Sequence, residues 1–241
     1  MFVLTTIRDT VKVPPVDFDK KQVPMLTQQI EAKFSNKVIM NVGMCICLYD
    51  YESIGDPYIY PSDGSAHYKV QFRLLVFRPF VGEILGGKVV SCTREGIRVS
   101  LDFFSDVTVP KNLLQSPSFF TQGEWIWSYT DPDAAEEEGM NGGDEEEEPA
   151  TFTIANHDLV RFRVRTLNFT TVTSTEKGYQ ATIMSQGRDQ GVGAGDRGSE
   201  APRMRERGRS FDLSHEEEHP SAMSIVASMN EEGLGLASWW E

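Results

Sequence analysis

The first part of the chain switches from a strand-like to a helix-like spacing of hydrophobic positions. Phe2–Val13 is rich in β-branched residues and predicts a strand that ends at Pro14 and Pro15. Apolar residues three and four positions apart then predict a helix with Pro24 in or near its first turn. The apolar positions of this helix are Val23, Leu26, Ile30 and Phe34.

Two longer strands are predicted after the helix. Lys37–Asp50 alternates with period two over its whole length and predicts one strand. Asp50–Tyr60 is expected to be a connection, Pro61–Ser65 has turn chemistry, and Tyr68–Phe77 predicts a third long strand. The order β-α-β-β predicts a small antiparallel sheet with one helix packed on it.

Shorter strands dominate the rest of the chain. Strands are predicted on either side of the turn at 93–96, and Gly86 and Gly87 in the first of them suggest a bulge or a sharp coil. Leu159–Leu167 alternates, with Leu159, Phe162 and Val164 on one side and Arg161, Arg163 and Arg165 on the other, and with the side of Val160 left open. Short strands with glycine corners are typical of an OB-type barrel. The other predicted strands are Val107–Pro110, Tyr179–Ser185 and Ala222–Met229.

The pattern therefore predicts an α+β, mostly β protein with a domain at 1–80 and a barrel domain at 81–241. Residues 131–149 and 186–220 have few large apolar side chains, so we expect disordered insertions there. The first insertion is either a solvated loop or a docking element. The second is either a solvated loop or a segment that binds RNA through its arginines. Those arginines are Arg203, Arg205, Arg207 and Arg209.

The acidic charge is concentrated in one of these insertions. The formal net charge is −13, and residues 131–149 hold ten acidic residues and no basic one. Without these ten, 26 acidic and 23 basic residues remain, a balance of −3. The folded parts are thus near neutral, and the overall acidity does not exclude a nucleic-acid partner.

The sequence contains no convincing catalytic or metal-binding motif. Cys45 and Cys47 are two apart in a predicted strand, so they should share a face without forming a disulfide. No CxxC pair exists, and the glycine-rich stretch at 191–198 has no flanking strand and helix. We expect no active site, no cofactor and no metal. No signal peptide or membrane-spanning stretch is evident, which suggests a soluble intracellular protein.

Several passages together resemble a known family, the larger stalk subunit of RNA polymerases, and in particular that of polymerase III. VFRPFVGEILGGKV, at the join of the two domains, is shared by stalk subunits generally, and the SWWE ending is similar to the polymerase III version. The passages are MFVLTTIRDTVKVPP (1–15), FSNKVIMNVGMCICLYD (34–50), PSDGS (61–65), FRLLVFRPFVGEILGGKV (72–89), EGIRVSLDFFSDVTVP (95–110) and GLGLASWWE (233–241).

The resemblance implies an RNP-like tip domain joined to an S1-type OB barrel. It implies a nuclear, non-catalytic subunit of DNA-directed RNA polymerase III that pairs with a smaller HRDC-type subunit. It further implies contacts with the polymerase core and initiation factors, a role in promoter-directed initiation on small untranslated RNAs, and contact with nascent single-stranded RNA. No membrane partner is implied.

An OB barrel binds single strands with cations for phosphates and aromatic rings for bases. The cations could instead be ordinary outward charges, and the phenylalanines could instead fill the barrel. The candidates for RNA contact are Lys88, Arg94, Arg98, Phe103, Phe104, Lys111 and Arg163.

The adjacent Trp239 and Trp240 either close the barrel or anchor a partner protein. For the whole protein, two alternatives to a polymerase subunit stay open. One is a free-standing S1-type RNA-binding protein acting in translation or RNA decay. The other is a scaffold whose barrel serves protein contacts alone. A free RNA binder has no need for a largely apolar N-terminal sheet or for a tryptophan pair.

Overall fold

The computed structural model describes residues 1–61, 63–129, 150–175, 178–187, 205–213 and 221–240. The chain divides into two compact units. Unit 1 comprises Met1–Phe80, Phe169–Thr182 and Phe211–Met223, and unit 2 comprises Val81–Asn168, Ile183–Ser210 and Ser224–Glu241. Unit 1 therefore includes stretches that lie inside the predicted 81–241 domain. Within unit 1, Thr171 Oγ1 lies 3.2 Å from Met40 Sδ.

Unit 1 is built on a four-stranded antiparallel sheet, with a helix on one face, as predicted. The strand order is β1-β4-β3-β2. The helix buries Met25, Leu26 and Ile30, whereas the predicted Val23 is exposed. The core beneath the helix is formed by alternate residues of β4, including Phe72 and Leu74. The elements are β1 (Phe2–Val13), α1 (Gln22–Phe34), β2 (Val38–Ile39), β3 (Gly43–Ile59) and β4 (Ala66–Phe77).

The prediction of one continuous strand over Lys37–Asp50 is wrong. A turn separates β2 from β3, with Asn41 at φ 59° and Gly43 at φ 133°. The predicted connection Asp50–Tyr60 is also wrong, because β3 continues to Ile59. The turn at Pro61–Ser65 is confirmed by hydrogen bonds from the backbone N–H groups of Asp63 and Gly64 to the carbonyl of Tyr60.

A repeated bulge changes the period of β3. Pairing with β4 skips one residue at 46, 49 and 52 and again between Ile54 and Pro57. Each β-bulge adds a residue that the partner strand does not match, so the inward face recurs at every third position instead of every second. The inward residues along this part of the chain are Ile39, Val42, Cys45, Leu48, Tyr51 and Ile54.

The prediction that Cys45 and Cys47 share a face of the sheet is wrong because of the first bulge. Ile46 is the extra residue between Cys45, paired with Val76, and Cys47, paired with Leu75. Cys45 is buried and Cys47 is exposed, so the two thiols face opposite sides of the sheet and not the same side.

The remaining described chain consists of strands and short 3-10 turns. Strands β8, β9 and β10 form a separate three-stranded antiparallel sheet. The strands are β5 (Ile84–Thr93), β6 (Gly96–Ser100), β7 (Val107–Pro110), β8 (Ser118–Thr121), β9 (Glu124–Tyr129), β10 (Ala150–Ile154), β11 (Leu159–Thr175), β12 (Gly178–Gly187), β13 (Arg205–Leu213), β14 (Met223–Ser228) and β15 (Gly235–Leu236).

Five of these strands close into the predicted barrel. The order is β5-β6-β7-β14-β11, and β11 pairs back to β5. Strand β14 runs parallel to β7, and β5 is antiparallel to β6 and to β11. The interior is filled by alternate apolar residues that are essentially inaccessible to solvent. They include Val89, Ile97, Val99, Val107, Val109, Val160, Phe162, Val164 and Ile225.

The irregularity in the pairing of β5 does not lie at Gly86 and Gly87. Gly86 and Gly87 pair without interruption with Arg161 and Val160, whereas the register against β6 shifts between Val89 and Ser91. Gly87 faces inward, where a Cβ atom would stand 2.6 Å from Val99 Cγ1. The glycine at this position therefore permits close strand packing and does not mark a bulge.

The predicted insertions have different outcomes. Residues 131–149 lie outside the described residues. Within 186–220, Arg205–Leu213 forms β13 beside β12, which corrects the expectation of disorder for that stretch. Backbone hydrogen bonds join such strands, so a segment poor in large apolar side chains can still pair. No helix in the described part of the chain has the length and apolarity needed to cross a membrane.

Candidate nucleic-acid interface

The barrel wall presents cations on two separate strand pairs. On the β6–β7 pair, Arg98 lies opposite Thr108 and is exposed. Arg94 lies in the β5–β6 turn. The next residue in this turn, Glu95, accepts a hydrogen bond at its carbonyl from the backbone N–H of Lys111 at 2.9 Å. The structure therefore brings Arg98 and Lys111 to the β6–β7 hairpin and Arg94 to the turn that leads into it.

The two phenylalanines of the β6–β7 connection differ in exposure. Phe104 is only 6% exposed and belongs to the apolar interior, which agrees with the alternative that the phenylalanines fill the barrel. Phe103 is 42% exposed, which leaves part of its ring accessible. A base can stack only on an aromatic face that solvent can reach, so Phe103 alone of this pair is suited to that contact.

Lys88 and Arg163 lie on a different pair, β5 and β11. Lys88 is opposite Leu159, and Arg163 is opposite Ile84. Arg163 Nη2 is 3.0 Å from Glu231 Oε2, so part of its charge is offset. The structure does not group these two cations with the β6–β7 cations, although the sequence prediction placed all of them in one set.

Two further arginines of β11 were missed as site residues. Arg161 lies opposite Gly86, and Arg165 Nη2 is 2.9 Å from Glu231 Oε1. The alternation of the sequence LVRFRVRTL is the signal that could have found them, because alternate residues of a strand share a face. The predicted alternation was wrong about Leu159, which is 64% exposed, whereas its neighbour Val160 is buried.

A hollow of about 310 Å³ lies beside these residues. Lys88 and Arg161 supply its cations and Asp102 supplies a carboxylate. Gly86 forms an open part of its floor, since nothing lies within 4 Å of the place where a Cβ atom would be. The volume is at the lower end of the range of small-molecule sites, about 300–1,000 Å³.

The two C-terminal tryptophans have different environments. The Trp239 ring is half-buried, with its centroid 5.2 Å from that of Trp127 and 5.3 Å from that of Phe152. The Trp240 indole N–H donates to the carbonyl of Leu234 at 3.0 Å, and 43% of the residue is exposed. Trp239 therefore packs within unit 2 on the β9–β10 hairpin, and Trp240 is the one with an accessible ring.

Two further observations concern the chemistry that the described residues could support. These residues contain no cluster of histidine, cysteine and carboxylate side chains that could hold a metal ion. Burial, with smaller effects from Asp158 and Glu124, raises the pKa of the Cys92 thiol to about 11. The Cys92 thiol is therefore protonated at neutral pH, whereas a nucleophilic cysteine needs a thiolate.

Comparison with known proteins finds two family models along the chain. The model for the RNA polymerase III subunit Rpc25 matches residues 83–240. The model for the SHS2 domain found in the N terminus of Rpb7p/Rpc25p/MJ0397 matches residues 8–64. The two matches cover most of the Met1–Phe80 segment and the barrel with its C-terminal tryptophans.

Curated proteins are similar over the full length of the chain. DNA-directed RNA polymerase III subunit RPC8 of Bos taurus is 35% identical over 100% of this chain and 98% of that protein. The Saccharomyces cerevisiae protein of the same name is 32% identical, with both chains fully covered. DNA-directed RNA polymerase II subunit RPB7 of S. cerevisiae is 30% identical over 54% of this chain and 76% of that protein.

Proposed function

The chain belongs to the family of the RNA polymerase III subunit Rpc25, and on this premise we propose that it is a non-catalytic stalk subunit of DNA-directed RNA polymerase III. The observation that carries the proposal is the similarity along the whole length, which includes both the N-terminal sheet and the barrel. Family membership confirms the resemblance found in the sequence. The site of action that follows from it is the nucleus.

The proposal includes a partner and a stage of transcription. The chain forms a heterodimer with a smaller HRDC-type subunit and joins the polymerase III core. It supports promoter-directed initiation on small untranslated RNAs through contacts with initiation factors, and its barrel holds nascent single-stranded RNA. The cations on the outer wall of a near-neutral barrel support the RNA contact, because such contacts depend on local positive charge and not on net charge.

Affinity purification of the tagged full-length chain from nuclear extract tests the proposal. We expect the large polymerase III subunits and a small helical protein to be recovered in near-stoichiometric amounts. The Trp240→Ala variant, changed only at the accessible C-terminal ring, should recover the small partner in equal amount if that ring contacts the core alone. Recovery of ribosomal or RNA-decay proteins without polymerase subunits would favour the free-standing S1-type alternative and refute the proposal.

The scaffold alternative predicts no nucleic-acid binding. A direct measurement of RNA affinity with the purified chain separates it from a subunit that holds RNA. Binding that weakens steeply with salt is expected from phosphate contacts. The absence of binding at low salt would leave a polymerase subunit whose barrel serves protein contacts alone.

A further inference from the structure

The seam between β5 and β11 combines cations of one strand with small or apolar residues of the other. Arg161 lies opposite Gly86, and Arg163 lies opposite Ile84. Directly opposed residues of an antiparallel pair point to the same side of the sheet, so these four face outward together. We infer that this seam, and not the β6–β7 hairpin, is the main track for single-stranded RNA. The inference rests on the proposed RNA contact and names its site.

The spacing of the arginines suits a chain of phosphates. Arg161, Arg163 and Arg165 occupy alternate positions of β11, so their Cα atoms are about 6.7 Å apart. This interval is comparable with the phosphate repeat of an extended nucleic-acid strand. A strand of RNA running along β11 can therefore meet one guanidinium at each nucleotide, and guanidinium groups match phosphate oxygens in geometry.

Glu231 fixes two of these guanidinium groups. One carboxylate oxygen is 3.0 Å from Arg163 Nη2 and the other is 2.9 Å from Arg165 Nη2. A shared carboxylate holds the two arginines side by side and reduces the entropy that they lose on binding a phosphate. Among the described residues, Lys88 and Arg161 form no ion pair, so their charges are available.

The hollow beside Arg161 supplies a place for one base. Leu159 is 64% exposed on one wall, and Gly86 leaves the floor open. Lys88 and Arg161 border the same hollow, with Asp102 as its one carboxylate. A base can lie on Gly86 and against Leu159, and the phosphates on either side of it can then meet Lys88 and Arg161. An acidic peptide would use the cations but would leave the apolar wall without a partner.

Fluorescence anisotropy with a fluorescein-labelled twelve-residue oligouridylate and the full chain tests the inference. The seam variant carries Lys88→Gln, Arg161→Gln and Arg163→Gln. The comparison variant carries Arg94→Gln in the β5–β6 turn, together with Arg98→Gln and Lys111→Gln on the β6–β7 hairpin. Each variant removes one lysine and two arginines, so both change the net charge equally.

The seam variant should bind about 100-fold more weakly than the unaltered chain at about 0.1 M salt, because three phosphate contacts are lost. Its slope of log K against log salt should be shallower by about 2, since each single-strand phosphate contributes about 0.7. The comparison variant should lose at least tenfold less affinity and keep the slope. Circular dichroism checks that both variants remain folded.

Gly86→Val gives a second test that leaves every charge in place. The position has space for a side chain, its backbone is not in the left-handed region, and valine suits a strand. Valine occupies part of the hollow at the place of the base, so affinity should fall at least about fivefold while the salt slope stays the same, as expected for loss of a base contact.

Three results would overturn the inference. A larger loss for the comparison variant would place the RNA on the β6–β7 hairpin, and equal losses for both variants would indicate diffuse electrostatic attraction. Binding of polyglutamate to the seam in place of the oligonucleotide would identify an acidic protein segment as the occupant. None of these results bears on recovery of polymerase subunits with the tagged chain, so failure of the RNA track and failure of the proposed function are distinguishable.

Discussion

Gly86 and Gly87 are neighbours in β5, yet a side chain would meet different surroundings at each. At Gly86 nothing lies within 4 Å of the Cβ position. At Gly87 a Cβ atom would be 2.6 Å from Val99 Cγ1 and 2.8 Å from the carbonyl oxygen of Ser100. One residue along a strand thus decides between open solvent and the packed barrel interior.

Gly87→Ala should therefore destabilise unit 2 by about 2 kcal/mol, because the inserted methyl group overpacks the barrel wall. Gly86→Ala is the matched control and should change stability by less than about 1 kcal/mol. Urea unfolding followed by tryptophan fluorescence measures both, since all four tryptophans belong to unit 2. Equal midpoints for the two variants would contradict the packing at Gly87.

The side chains of Asp50 and Arg73 form a two-bond ion pair across β3 and β4. The hydrogen bond from Arg73, together with its charge, holds the pKa of the Asp50 carboxyl below its usual 3.8. A carboxyl whose pKa is lower in the folded than in the unfolded state stabilises the fold above its unfolded pKa. That contribution disappears as the pH falls through the folded pKa.

Arg73→Gln should raise the pKa of Asp50 toward 3.8, as measured by carboxyl-carbon NMR titration. The stability difference between the unaltered chain and this variant should be largest near neutral pH. It should shrink as the pH falls below about 4, where the carboxylate becomes protonated. An unchanged Asp50 pKa in the variant would show that the ion pair does not persist in solution.

At the scale of elements, β3 shows how bulges can replace one period with another. Its core residues recur every third position because one residue in three has no partner on β4. The polar outward face is held by contacts such as Gln71 with Glu52, and Thr6 Oγ1 donates to the same carboxylate at 3.0 Å. Repeated bulges increase the twist of a strand, so β3 is expected to be more strongly twisted than a regular strand.

The C-terminal 3-10 turn, Ala237–Trp240, packs on the rest of unit 2 through the ring of Trp239. Trp239 covers Gly235, where a Cβ atom would stand 2.5 Å from Trp239 Cζ3. The positive φ of Gly235, 101°, also favours glycine there. The turn is thus fixed by an aromatic contact to the β9–β10 hairpin and a glycine beneath it.

Trp239→Ala should lower the stability of unit 2 by about 2 kcal/mol, less than the 3–5 kcal/mol of a fully buried tryptophan. Trp240→Ala should cost less than about 1 kcal/mol, because Trp240 is 43% exposed and loses less buried area than Trp239. The measurement is the urea midpoint from the fluorescence of the remaining tryptophans. A larger effect at Trp240 would reverse the assignment of the two rings.

At the scale of the whole molecule, charge is distributed unevenly along the chain. Residues 131–149 contribute ten of the 36 acidic residues. Tyr129 and Ala150, which flank this stretch, are directly paired across β9 and β10. A short Asn-Gly turn can therefore join the two strands in place of residues 130–149.

This replacement should strengthen RNA binding severalfold at about 0.01 M salt, where the screening length is about 30 Å. At about 0.15 M salt the screening length is about 8 Å, and the two proteins should bind alike. Anisotropy with the labelled oligouridylate at both concentrations measures the effect. A stronger effect at the higher salt concentration would indicate direct contact by the segment and not long-range repulsion.

The local pattern of the chain determined the elements whose residues follow one period without interruption. The position of α1 follows from spacings of three and four, those of β1, β4, β6 and β7 follow from local composition and turn residues, and the family follows from contiguous passages such as VFRPFVGEILGGKV. Local sequence suffices for these because one buried face selects both the element and its register.

Only the tertiary structure decided which residues meet across long separations. Glu231 and Arg165 are 66 residues apart, and no local pattern assigns that carboxylate to the arginines of β11. The bulges of β3 depend on its pairing with β4, and the split between the two groups of cations depends on how the barrel closes. Pairing between strands sets these features, and a single sequence records the side chains of each strand but not its partner.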